Sequence, residues 1–235
     1  MADGSYGTQS KSTTGKELDV NITHAHCGVP SFTMHTDRVD LRVTVQGGQV
    51  TADFEVGDRK ICPYFIAPWY REQIPEAIDE VIRLLRGDFF CLPFGANPDP
   101  VEGIRYPTHG ETANRCWDFA GLEERGGNKE LRLSMDLGAR PGRIEKILRV
   151  HEGEAVIYQE NRISGFSGKT TLGYHPTLQL PPGLATGIID MSEPLTGFVS
   201  PRPAGNPAEK GYSILQPGVE IHDRSSVPCV DGSTV

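Results

Sequence analysis

The chain has 235 residues, enough for one large β domain or two small domains. Hydrophobic residues make up 37% of it and the mean hydropathy is −0.36, which is typical of a globular protein and leaves no stretch long enough to cross a bilayer. The formal net charge of −8 argues against general binding to nucleic acid, because phosphate recognition draws on clustered lysine and arginine.

The cysteines bear on the cellular compartment. There are 5 of them, an odd number with no close pair, which suits reduced thiols better than a disulfide framework. The sequence also begins without the apolar region of a secretory signal. We therefore expect a cytoplasmic protein that contacts neither membrane nor nucleic acid.

A polar segment comes first in chain order. Residues 1–16 are rich in glycine, serine and threonine, which predicts a disordered tail, and residues 17–235 are predicted to form a single domain. Within that domain, apolar and polar residues alternate from Val39 to Val45 and again from Val50 to Val56, on either side of a glycine turn. This pattern predicts a β-hairpin over residues 38–57.

One helix is predicted next. Residues 75–86 carry an apolar stripe at helical spacing, with Pro75 at the start and Gly87 after the end. Both residues are common at these positions, so the segment is predicted to be a short helix.

Further strands follow in the second half of the chain. Alternation from Leu131 to Leu137 predicts one strand, and the apolar run 144–150 followed by a turn and a return to Ile163 predicts another hairpin. Many short strands between glycine and proline turns indicate an all-β protein, a β-sandwich of antiparallel strands. Residues 200–210 are interrupted by prolines, and the pattern is weak from there to the end.

Two histidines occur in restrained surroundings. His109 follows a proline by two residues and directly precedes a glycine, and His175 lies between Tyr174 and Pro176 in Gly173–Thr177. Proline restricts the backbone and glycine frees it, so each imidazole is presented from a shaped loop.

These motifs resemble the aldose 1-epimerase (galactose mutarotase-like) superfamily. The matching segments are Leu92–Gly95, which reads Leu-Pro-Phe-Gly, then His109–Gly110 and Trp117, then Tyr174–Pro176, and the resemblance covers roughly residues 35–185. It implies a β-supersandwich with a sugar cleft on one sheet. It also implies an isomerase that interconverts the α and β anomers of an aldose in carbohydrate metabolism without a cofactor.

The resemblance also implies roles for both histidines. His175 would be the acid that protonates the ring oxygen, and His109 would bind the sugar near the same centre while the ring opens. Four neighbouring residues carry groups suited to binding a sugar, because amides and guanidinium groups bind hydroxyls and an aromatic face packs on a sugar ring. These candidate substrate-binding residues are Asn97, Asn114, Arg115 and Trp117.

The general base is not assigned from sequence. Superfamily members place a glutamate on a late strand, and this chain has no evident match for their C-terminal strands. Its late carboxylates are Asp190, Glu193 and Glu220. Two alternatives therefore stand beside the enzyme: a catalytically weak carbohydrate-binding protein of the same fold, and an incomplete domain that associates through an open sheet edge. A phosphorylated sugar is disfavoured, since the arginine comes later after His-Gly than in hexose-6-phosphate mutarotases.

A metal site is a further alternative near the start of the chain. His24, His26 and Cys27, with His35 nearby, have suitable donor atoms. The carboxylate that a cupin-like His-x-His site needs soon afterwards is absent from residues 28–34. No metal is therefore expected.

Overall fold

A computed structural model of the protein describes residues 22–23, 27–182, 192, 196–201, 214–223 and 225–234. The chain divides into two compact units, 1–181 and 182–235. The predicted tail and the carboxylates Asp190 and Glu193 lie outside the described residues. A single domain over 17–235 stays a prediction.

The first unit is built almost entirely from short strands. Among its described residues, the regular elements besides strands are the helix α1 (Glu80–Arg83) and two 3-10 turns, Pro68–Arg71 and Glu111–Ala113. The strands are β1 (Ile22–Thr23), β2 (Ser31–His35), β3 (Val39–Thr44), β4 (Val50–Val56), β5 (Arg59–Ile61), β6 (Phe90–Cys91), β7 (Asp118–Arg125), β8 (Asn128–Asp136), β9 (Arg143–His151), β10 (Tyr158–Ser164) and β11 (Gly173–Tyr174).

The first sheet has five antiparallel strands in the order β1-β2-β3-β4-β5. The predicted hairpin over 38–57 is confirmed as β3 and β4, in which Leu41 pairs with Ala52. Val39, Leu41 and Val43 are buried while Asp40 and Arg42 are partly exposed, as the alternation predicts. The predicted inward face is therefore correct for β3, whereas in β4 Val56 is 47% exposed and Thr51 is buried.

The second sheet has four antiparallel strands in the order β10-β9-β8-β7. The predicted strand within 131–137 and the predicted hairpin from 144 to 163 are confirmed as β8, β9 and β10. Strand β7 carries a bulge between Phe119 and Gly121. Bulges of this kind increase the local twist of an edge strand.

One hydrophobic core joins the two sheets. Buried residues of β2, β3 and β4 pack with those of β8 and β9, and Phe90, Leu92 and Trp117 belong to the same cluster. Two antiparallel sheets that bury their inner faces against each other form a β-sandwich. The predicted all-β fold class is thus confirmed.

The predicted helix over 75–86 is wrong in extent. Only Glu80–Arg83 is α-helical, and the preceding Asp79 has an extended backbone with φ −55° and ψ 140°. Within the apolar stripe, Val81 is fully buried but Ile78 is largely exposed. A stripe that does not pack along its whole length does not stabilise a longer helix, since most helical stability comes from tertiary packing.

A short two-stranded ribbon precedes His175. Strands β6 and β11 pair antiparallel, with Tyr174 opposite Phe90. The pairing continues beyond them, because the His175 N–H donates to Phe89 O (2.9 Å) and the Thr177 N–H to Gly87 O (2.8 Å). His175 and Phe89 are therefore held side by side by backbone hydrogen bonds.

The second unit contains isolated bridges in its described residues. These bridges join Phe198 to Glu220, Leu215 to Cys229 and Pro228 to Thr234. Cys229 is buried there, and all 5 cysteines of the chain are free. In the described part of the chain, no helix has the length and apolar character needed to cross a membrane.

Candidate functional site

The structure brings the two predicted histidines together. The ring centres of His109 and His175 are 4.7 Å apart, and the rings meet edge to face at 67°. The two residues come from separate segments, His109 from the loop after β6 and His175 from the end of β11. The predicted juxtaposition of two imidazoles is therefore present in the fold.

Two phenylalanines surround the pair. The Phe89 ring is stacked on His175 at 4.8 Å and 9°, and lies 5.8 Å from His109. The Phe94 ring lies 5.2 Å from His109 and 5.9 Å from His175. Phe89 is fully buried and Phe94 is 37% exposed, so the imidazoles lie between an apolar floor and an aromatic ring that reaches the solvent.

The loop of His109 is fixed by hydrogen bonds. The His109 N–H donates to Gly95 O (2.7 Å), and the Thr108 N–H donates to Asp79 Oδ2 (2.8 Å). The Asn114 side-chain amide donates to the carbonyls of Thr108 and Gly110, both at 2.7 Å. Asn114 therefore holds the backbone on both sides of the histidine.

The backbone of this loop is unusual. His109 has φ 60°, a left-handed conformation that is uncommon for residues other than glycine. Gly110 has φ 79°, and a Cβ there would lie 2.0 Å from Leu92 O. Only glycine fits at 110, which is why the sequence reads His-Gly.

One ring nitrogen of each histidine lacks a hydrogen-bond partner among the described residues. The Nδ1 atoms of His109 and His175 are buried without a hydrogen bond in the described part of the chain. Buried polar atoms are nearly always satisfied, and exceptions often mark functional groups or ligand positions. Burial lowers the pKa of His109, and the proximity of His175 lowers it further. Since a histidine's ordinary pKa is about 6.5, His109 is neutral at pH 7.

The other predicted site residues have structural contacts. The Asn97 amide donates to Pro107 O (2.9 Å) and braces the His109 loop, and Asn114 also accepts from the Val81 N–H (3.0 Å). Arg115 pairs with Glu111 (2.8 Å) and donates to Asp136 O (3.0 Å). Asn97 and Asn114 thus lie beside the histidine loop, while Arg115 is engaged with its own ion pair.

Trp117 is placed in the core. It is 2% exposed, its Nε1–H donates to Thr112 O (3.0 Å), and Lys146 Nζ lies 5.4 Å from the ring centre. The structure therefore provides no accessible Trp117 face, and the aromatic ring beside the histidines is Phe94 instead.

A buried polar cluster was not identified from the sequence. Lys146 has no exposed surface, and its Nζ donates to Gln159 Oε1 (3.3 Å). The Gln159 amide donates in turn to Asp88 Oδ2 (2.6 Å). Burial lowers the pKa of Lys146 to about 8 against the attraction of Asp88, and burial raises the pKa of Asp88. Asp88 directly precedes the Phe89 that underlies His175, and the strand alternation that places Lys146 with Ile144 and Leu148 was the available signal.

The three late carboxylates belong to the second unit, 182–235. Glu220 lies in the second unit, 3.8 Å from His222, and the other two candidates lie outside the described residues. Neither imidazole is bonded to a carboxylate of the described residues. No group of three or more metal-binding side chains occurs among them either; His24 and His26 fall outside this part of the chain.

Comparisons with known proteins gave two solved structures. One is described as a "putative mutarotase (YeaD) from Salmonella typhimurium", with 17% identity, a TM-score of 0.39, and coverage of 52% of this chain and 40% of that chain. The other is HI1317, with 17% identity, a TM-score of 0.37, and coverage of 64% and 53%. The chain thus spans about half the length of these proteins or less. No family model and no curated protein matched the sequence.

Proposed function

We propose that the protein is an aldose 1-epimerase-like isomerase that uses the His109–His175 pair to exchange the anomers of an unphosphorylated hexose. One observation carries this proposal. The ring centres of two imidazoles lie 4.7 Å apart beside an exposed aromatic ring, and the Nδ1 atom of each imidazole has no hydrogen bond to a described residue. Such groups can exchange protons with a ligand.

Anomer exchange requires two proton transfers close together. The anomeric hydroxyl loses its proton, a C=O bond forms at the anomeric carbon, and the bond from this carbon to the ring oxygen breaks as that oxygen gains a proton. Both oxygens are attached to the same carbon, so the donor and the acceptor must be near neighbours. Two adjacent imidazoles meet this requirement.

The environments of the two rings favour different roles. His109 is kept neutral by burial, so its nitrogen lone pair can accept the hydroxyl proton. His175 is then the donor to the ring oxygen. Rotation about the first carbon–carbon bond of the free aldehyde and reclosure by the reverse transfers yield the other anomer.

The proposed substrate carries no phosphate. Arg115 is the first arginine after the His-Gly motif, and its guanidinium pairs with Glu111 and donates to Asp136 O. A cation that is already paired is less available to an anionic sugar. Glucose should therefore be a better substrate than glucose 6-phosphate.

The test is the rate of anomer exchange of freshly dissolved α-D-glucose and α-D-galactose, followed by polarimetry or NMR. Wild type should accelerate it, and His175→Gln should lose about 100-fold or more of that acceleration. His35→Gln is a matched control, because this histidine side chain is 75% exposed and does not belong to the His109–His175 pair. Equal rates for wild type and His175→Gln would refute the proposal.

A second candidate is a carbohydrate-binding protein without turnover. It is favoured by one observation: no carboxylate of the described residues orients either imidazole, whereas catalytic histidines commonly have such a partner. Sugar-induced NMR shifts in the wild type, with no faster anomer exchange, would establish it.

A further inference from the structure

One aromatic residue of the site, Phe94, reaches the solvent. Phe94 is 37% exposed, while Phe89, which contacts the same two imidazoles, is fully buried. Of these two phenylalanines, Phe94 is therefore the one whose side chain reaches the solvent. Isolated exposed apolar residues are common on protein surfaces, so exposure alone decides nothing. Here it coincides with two ring nitrogens that have no partner.

The backbone of Phe94 is fixed at both of its polar groups. Its N–H donates to Thr171 O (3.1 Å), and the Thr171 hydroxyl donates to Phe94 O (2.8 Å). Space for the ring is provided by Gly173, where a Cβ would lie 3.2 Å from Phe94 Cδ2. A ring that is already held in position loses little conformational entropy when a ligand stacks on it.

We propose that Phe94 is the sugar-stacking residue of this site, and that the site selects a pyranose presenting a face of C–H bonds. The inference rests on the proposed function. The face of an aromatic ring carries partial negative charge and attracts the slightly positive hydrogens of such a sugar face. Phe94 thereby replaces Trp117, which the core makes inaccessible.

The proposal separates ring sugars from open-chain polyols. D-galactose and D-glucose form pyranoses with a C–H face, whereas sorbitol has a comparable set of hydroxyls without a ring. Stacking of aromatic faces is worth about 0.5–1.5 kcal/mol, so the loss of the flat ring should weaken pyranose binding about 3- to 10-fold. Sorbitol should bind more weakly than glucose to the wild type, and its affinity should not depend on the aromatic ring.

The experiment compares Phe94→Tyr, which keeps a flat ring, with Phe94→Leu, which keeps only apolar bulk. NMR titration should give a Kd for D-galactose within about 2-fold of wild type for Phe94→Tyr and about 3- to 10-fold higher for Phe94→Leu. The thermal midpoints of the two variants should agree, since both retain an apolar side chain. Phe198→Leu, at a residue 64% exposed in the second unit, is the matched control.

The outcomes separate this inference from the proposed function. If wild type accelerates anomer exchange or binds galactose, and Phe94→Leu binds as well as Phe94→Tyr, the stacking role is wrong and the proposed function stands. If folded wild type neither binds nor converts any aldose, both fail together.

Discussion

The fully buried Lys146 gives a prediction about stability. Burial lowers its pKa from 10.5 to about 8, even with Asp88 nearby. One pKa unit corresponds to about 1.4 kcal/mol, so the charged amine costs about 3 kcal/mol in the folded chain relative to the unfolded chain. Replacement by methionine removes that cost with similar bulk, but it also removes the hydrogen bond to Gln159 and the contact with Trp117. Lys146→Met should therefore raise the free energy of unfolding at pH 7 by about 1–2 kcal/mol.

The pH dependence of this difference is the sharper test. Below pH 8 the amine is charged in both the folded and the unfolded chain, and the full cost is present. As the pH rises from 8 to 10.5 the folded chain loses its proton first, so the cost declines and is absent above 10.5. The advantage of Lys146→Met over wild type should accordingly shrink between pH 8 and pH 10.

Urea unfolding followed by circular dichroism at pH 7, 8, 9 and 10 measures both effects. Lys169→Met, at an exposed lysine, should change the free energy of unfolding by less than about 0.5 kcal/mol at every pH. A variant that is less stable than wild type at pH 7, or a difference that stays constant from pH 7 to 10, would show that the buried amine is not a net cost.

Four further predictions concern the loop of His109. Gly110→Ala should destabilise the protein by about 3 kcal/mol or more and abolish sugar binding, because its Cβ would overlap Leu92 O; normal urea unfolding would contradict this. His109→Gly should be about 1 kcal/mol more stable than His109→Ala, since glycine adopts φ 60° without strain; equal midpoints would mean that the backbone is relaxed. Because the pKa of His109 is lowered on folding, wild type should lose stability relative to His109→Gln as the pH falls below 6.5, and parallel curves from pH 7 to 5 would refute this. Asn114→Ala should lower the free energy of unfolding by about 2–4 kcal/mol, because three side-chain hydrogen bonds are lost. A decrease under about 1 kcal/mol in urea unfolding would show that these hydrogen bonds do not hold the loop of His109.

The β-sheet structure could be predicted well because its signal is local. In β3 and β4 the alternation of side chains determines which face is buried, and the glycine turn between them determines the pairing. The helix over 75–86 failed for the opposite reason. A helix of that length would be stabilised only if its whole apolar stripe packed against the core. In the fold Val81 is buried, but Ile78 is largely exposed.

The unusual backbone surroundings of the two histidines could also be recognised from sequence, while their functional role stays a prediction. The glycine after His109 indicates a backbone conformation that other residues rarely adopt, and Gly173 and Pro176 restrain the segment of His175. Local chemistry could therefore single out both residues, although it could not establish their distance from each other.

The neighbours of the two histidines depend on tertiary packing. Trp117 and Phe94 are both aromatic residues in loops of the motif, yet packing buries one in the core and leaves the other beside the imidazoles. Arg115 is paired by Glu111, and Lys146 is enclosed although lysine usually lies at the surface. Short-range sterics and side-chain periodicity were enough to predict the longer strands and to mark the restrained segments of both histidines. The burial of a side chain and its hydrogen-bond or ion-pair partners depend on residues distant in the chain. They therefore follow from how the two sheets pack together, which local patterns do not encode.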